Sequence, residues 1–234
     1  MNLTHISHNF TKSALYATAV FTACIMLFML AEPTVGRGAS ASSTDTFTIR
    51  QQITDEISFL VPAADVTMVG ALNGLTGGQA SGTTFFVVRS NSNSGYTVDI
   101  AFSNSPAMRG EFTNSTAIRN YGSSTEPTFN FFSSTSAQFG YTVSASTTAD
   151  LDQSFLDNGS TVCNQPAGAD TGGAASCWMG ATSTNNYRII NRATPAGDGA
   201  TTSMTFRVQL PSSPSPAVDE DFYTATATLT ATNQ

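Results

Sequence analysis

From Phe47 onward the chain is built of short runs in which apolar and polar residues alternate, a period of two that suits half-buried strands and cannot serve a helix. In YTVDIAFS, Tyr96, Val98, Ile100 and Phe102 fall on one face. In DFYTATATLTATNQ, Tyr223, Ala225, Ala227 and Leu229 oppose Thr224, Thr226, Thr228 and Thr230. Similar runs, TFTIRQQITDEISFLV, DVTMVGAL, TTFFVVRS, TFNFF, AQFGYTVSAS, NNYRIIN and SMTFRVQL, are separated by clusters of Gly, Asn, Ser and Pro. TTFFVVRS is apolar on both faces, as expected in the middle of a sheet. GLTGGQASG is expected to be a flexible loop, ADLDQSFLDNG one short helical turn, and PSSPSPAVDED a Pro-rich connection. The expectation is an all-β fold, an antiparallel β-sandwich of about nine strands, either immunoglobulin/pilin-like or jelly-roll.

Residues 1–41 differ from the rest. MNLTHISHNFTKS carries Lys12 and no acid, residues 14–31 are free of charge, and the stretch closes on Ala39-Ser40-Ala41, a small-x-small cleavage pattern. We read residues 1–41 as a signal peptide, with an N-terminal membrane anchor as the alternative because the apolar run is near the lower limit for spanning a bilayer. Residues 42–234 then form a single domain outside the cytoplasm, extracellular or on the cell surface. Removing Lys12, Arg37 and Glu32 leaves seven of nine basic and fifteen of sixteen acidic residues, a net charge of −8. An acidic chain of this kind is poorly suited to nucleic acid, and a membrane is met only through the N-terminal segment if that is retained.

Cys24 lies in the apolar leader, which leaves Cys163 and Cys177 to pair in an oxidising compartment. The loop they close, CNQPAGADTGGAASC, cannot build a core of its own. A bridge across it stabilises by about 3 kcal/mol on the chain-entropy account.

The order TFTIRQQITDEISFLVP, DVTM, a Gly-rich loop, TTFFVVRSNSNSGYTVDI and a terminal Y-x-A-x-A-x-L strand resembles the spore-coat-protein-U-type and pilin-like secreted β-sandwich families. It is also similar to a group of exported proteins of candidate-phylum bacteria that carry QQITDEISFLVPA and TATLTATN. The first resemblance implies a surface subunit. It departs in one respect, since ITDEISF and FFVVRSNS lack the cysteines that usually join those strands.

Histidine ends at His8 and lysine at Lys12, so the exported chain lacks a Ser-His-Asp or Cys-His arrangement, a histidine metal site and a Schiff-base lysine. Paired carboxylates remain: Asp55-Glu56, Asp150 with Asp152, and Asp219-Glu220-Asp221. Each sits beside a turn or strand end, where acids are ordinarily solvated, so no enzyme is expected and no cofactor is implied. DLDQSFLDNGST fails the EF-hand pattern at Phe155 and Thr161, which leaves Asp150, Asp152 and Asp157 as a weak calcium loop. Trp178, beside Cys177, is either the packing partner of the disulfide or, with Tyr187 and Tyr121, a stacking surface for sugar.

Two functions follow as expectations. The first is a structural or adhesive surface protein that assembles with itself or another surface component; the second is a lectin-like domain that binds polysaccharide. Phe47 to Val61, fully extended, would run about 50 Å, well beyond the usual strand of about 17–20 Å. The chain therefore either bends at Arg50-Gln51-Gln52 and changes sheets, or residues 44–52 project to add to the edge of a neighbour.

Overall fold

A computed structural model describes residues 16–27, 43–113, 116–122, 125–132, 135–159, 161–166, 176–181 and 186–234. The chain divides into two units, residues 1–51 and 52–234. In the first, residues 16–27 form an α-helix with exposed apolar side chains, among them the free Cys24. No helix among the described residues is long and apolar enough to cross a membrane. The Ala39-Ser40-Ala41 cleavage site lies outside the described residues. Residues 43–51 carry no regular structure, and Phe47 and Ile49 are 82% and 84% exposed.

The second unit is all β. Its strands are β1 (Ile57–Val61), β2 (Leu72–Asn73), β3 (Gly77–Ser90), β4 (Tyr96–Phe102), β5 (Met108–Gly110), β6 (Ala117–Asn120), β7 (Thr128–Phe129), β8 (Gln138–Ala145), β9 (Cys177–Gly180), β10 (Tyr187–Arg192), β11 (Ala196–Leu210), β12 (Tyr223–Thr224) and β13 (Ala227–Asn233). One sheet runs β1-β3-β11-β8-β6-β5-β12, with β2 joined to β3 and β9 bridging β8 and β7; the other is β10-β4-β13. The β6–β8 pair is parallel, a departure from the purely antiparallel expectation.

The alternation predicted on β4 holds: Tyr96, Val98, Ile100 and Phe102 are all buried. They meet Phe86 and Val88 from β3, Tyr141 and Val143 from β8, and Met204 and Val208 from β11, so both sheets contribute to one core. SNSNSG turns the chain as expected, with Gly95 at φ +82° and its N–H donating to the Ser92 carbonyl at 3.1 Å. ADLDQSFLDNG supplies two 3-10 turns, Thr148–Asp150 and Gln153–Phe155.

Three expectations are corrected. The long opening strand is confined to Ile57–Val61; residues 43–56 are not in a strand and Ile53 is 82% exposed. DVTMVGAL contributes only β2 and a bridge from Val69 to Ser81. Of the glycine-rich stretch expected to be a flexible loop, only Gly74, Leu75 and Thr76 form a turn, and the part from Gly77 onward is the first half of β3. A side chain at Gly78, at φ +151°, would stand 2.1 Å from the Ala71 carbonyl oxygen, so glycine is needed there for the close approach of a neighbouring backbone.

Candidate functional site

Edge strands are where a sheet either ends or continues into another molecule, because their outer N–H and C=O groups lack partners. The two sheets end side by side on β1 and β13, which are neighbours across the fold. β13 pairs with β4 without a register break from Ala227 opposite Phe102 to Asn233 opposite Tyr96. β12 pairs with β5 at the end of the larger sheet opposite β1, and in the link from β12 to β13 the Thr226 carbonyl accepts the Ser103 N–H at 3.0 Å. From Phe222 to Gln234, which includes the whole of β13, there is no charged residue and no proline, the devices that usually protect an open edge.

Neither edge strand is well covered. Ile57 and Phe59 in β1, and Leu229 and Ala231 in β13, face the core but are only half-buried, and no residue of either strand is buried. Every residue of β4 except Asp99 and Ala101 is buried, and those two are half-buried. The outward threonines Thr228, Thr230 and Thr232 are exposed, as the alternation requires. Ser90 Oγ donates to Asn233 Oδ1 at 2.7 Å and Ser92 Oγ to the Gln234 carbonyl at 3.2 Å, which fastens one end of the edge.

The other end is organised by Asp221. Its carboxylate accepts the N–H groups of Phe112 at 3.1 Å, Thr113 at 3.0 Å and Phe222 at 2.7 Å, and the Thr113 hydroxyl at 2.8 Å. This holds the Phe112 and Phe222 rings 6.1 Å apart although both are exposed. Partial desolvation pushes the Asp221 pKa up, and the bonds from Phe112, Thr113 and Phe222 together outweigh it and set the pKa below the usual carboxylate value. A depressed pKa contributes stability that is present above the unfolded-state value and lost as pH falls through the folded one. Below about pH 4 the turn is therefore expected to loosen. Amide exchange at Phe112, Thr113 and Phe222 should rise there ahead of exchange in β4, and exchange that is flat with pH would contradict it.

Each residue singled out from sequence can be placed. Cys163 and Cys177 are bonded, with Cα atoms 5.9 Å apart. Asp150 is buried and paired with Arg192. Asp152 caps the turn after it through the Ser154 N–H at 3.0 Å and Ser154 Oγ at 2.6 Å, and Asp157 accepts the Gly159 N–H at 2.6 Å. The three acids are thus engaged separately, and among the described residues no group of three or more Asp, Glu, His or Cys gathers as a metal site.

The sugar-stacking reading meets a different environment. Trp178 and Tyr121 are 5% and 6% exposed and lie with Phe131 in a small cluster apart from the main core. Tyr121 stacks on Phe131 at 4.2 Å, Phe131 meets Trp178 edge-on at 5.2 Å, and the Arg207 guanidinium lies 4.3 Å from the Trp178 ring centre. Trp178, on the opposite side of β9 from the core-facing Cys177 and Met179, is therefore covered by Phe131 and Arg207 and offers no open face. Tyr187 is half-buried against Phe155, and burial raises its pKa despite the opposing hydrogen bond from Ser154. The Asp221 turn and the position of Arg207 were not foreseen; the Phe112 and Phe222 contacts join residues far apart in sequence, which alternation does not signal. Compared with protein-family models, with curated proteins and with solved structures, the chain matches none.

Proposed function

We propose that the chain is a non-enzymatic structural or adhesive protein of the cell surface, a β-sandwich subunit that joins further copies of itself by strand addition. The observation that carries this reading is the pair of neighbouring edge strands, β1 and β13, whose core-facing residues stay half-exposed while the free edge of β13 lacks protective charge. An added strand would satisfy that edge with main-chain hydrogen bonds and cover Phe59, Leu229 and Ala231 with its own alternate side chains. The chain has a segment of the required chemistry. Phe47, Ile49 and Ile53 share one parity, and each is more than four-fifths exposed. Covering each of them in a partner's groove is worth roughly 1.5–3 kcal/mol before the cost of association.

The test compares residues 42–234 with the same chain lacking residues 42–53, by analytical ultracentrifugation and electron microscopy. The longer chain should form extended oligomers; the shorter one should be a folded monomer that binds a synthetic peptide of residues 42–55. A longer chain that stays monomeric at millimolar concentration and on cells would refute strand addition.

A further inference from the structure

The outward face of the larger sheet carries a second feature, independent of strand addition. The chain has a net charge of −7, yet arginine gathers on this face. Ile118, Phe139 and Val208 point into the core, so Arg119, Gln138 and Arg207, each one residue away, point outward. Register places them together: Arg119 beside Gln138, Gln138 opposite Gln209, and Arg207 between Gly140 and Ser81. With strands about 4.8 Å apart, Arg119 and Arg207 are two strands, or roughly 10 Å, apart across the sheet. Neither makes an ion pair among the described residues; the described pairs use Arg188 with Asp99 and Arg192 with Asp150. No acid occurs in β3, β6 or β8, and β11 has only Asp198, near its far end.

Arg207 is also held in place. Its guanidinium lies 4.3 Å from the Trp178 ring centre and 5.6 Å from that of Phe131, where it is fixed by cation–π attraction. The absence of a side chain at Gly140 allows this, since a Cβ there would press on Phe131 at 3.0 Å and on Tyr121 at 2.9 Å. Arg207 Nε, a donor, and Gln138 Oε1, an acceptor, are both withdrawn from solvent and have no hydrogen-bond partner. Each such atom is a cost that the fold itself carries, since neither is open to a ligand. A carboxylate is the planar anion that an arginine fork matches, and sugar hydroxyls suit the amides and hydroxyls that flank it.

We propose that this face binds an acidic polysaccharide, a polymer of uronic acids, with Arg119 and Arg207 taking carboxylates and Gln209 taking a hydroxyl. A polypeptide partner fits less well, because the row of Gln, Ser, Thr and Arg offers no central apolar anchor. The site differs from an aromatic stacking platform, since the rings here lie beneath the cation and do not meet the sugar.

The test is retention of the full-length protein in affinity electrophoresis through gels containing polygalacturonate, dextran or poly-glutamate. Polygalacturonate should retard it, several-fold less at about 300 mM than at about 50 mM salt because exposed charges are screened, and neutral dextran should not. Arg119→Gln, an exposed change that spares the fold, should weaken retention about tenfold, the effect of losing one charge-assisted contact. Arg207→Lys keeps the charge but loses the fork and the stacking, and should weaken it similarly while melting within a few degrees of the wild type. Absence of retardation by polygalacturonate, wild-type retention by Arg119→Gln, or equal retardation by poly-glutamate would each overturn the proposal, the last by assigning the face to acidic polypeptide.

Discussion

Phe86→Ala is expected to lower the free energy of unfolding by about 4 kcal/mol, within the range of about 3–5 kcal/mol for removing a buried phenylalanine. Phe86 is fully buried in β3, and Phe59 of β1 meets its ring edge-on at 5.8 Å. The cavity would thus open under the edge strand that is already least covered. For a unit of this size the change corresponds to a fall in Tm of roughly 8–16 °C. Calorimetry of the wild type and the variant measures it, and a fall below about 3 °C would show that β1 closes the gap by moving inward. A second consequence separates the core from its edge: amide exchange in β1 should quicken more than in β4, because β1 has fewer buried neighbours to hold it.

Gly180→Ala is expected to be nearly as damaging, although it adds a single methyl group. A Cβ at Gly180 would stand 2.1 Å from the main-chain oxygen of Tyr121, which cannot turn aside as a side chain could. Overpacking usually costs about 1–3 kcal/mol, and here a rigid backbone is the obstacle, so a loss above roughly 3 kcal/mol is expected. The fault should be local at first. Near-ultraviolet dichroism and fluorescence from Trp178 should change because the Tyr121, Phe131 and Trp178 cluster sits over this strand. A variant that melts within a degree of the wild type would mean that Tyr121 is held less firmly than its hydrogen bond to the Asn130 carbonyl, at 2.7 Å, implies.

Where a residue's burial follows from its own neighbours in sequence, the fold was legible. β4, β8 and β13 lie within the runs that alternate most clearly, and the Cys163–Cys177 bond followed from the count of cysteines outside the N-terminal apolar run. What escaped was decided by contacts between distant residues. Gly77 and Gly78 look like loop residues until the carbonyls of Leu210 and Ala71 are brought against them. Phe47, Ile49 and Ile53 alternate as a strand does, yet alternation shows only that a strand would be amphipathic and not that a partner exists within the chain. CWMG, carrying β9, is too short for a period to show, and so are β5 and β7. The candidate site was legible at β13 and not at Arg207, because an arginine's partners depend on which strands lie beside it.

The pairing of β13 with β4 also sets an order in time. β4 is almost wholly buried, yet its neighbour along one side is supplied by residues more than about a hundred positions further along the chain, a separation that makes closure slow. Until residues 227–233 arrive, one flank of β4 has nothing against it, and the apolar row from Tyr96 to Phe102 stays adhesive. A chain made this way spends its early life unable to finish, which exposes it to premature association. A strand this sheltered waits on residues far along the chain to be enclosed.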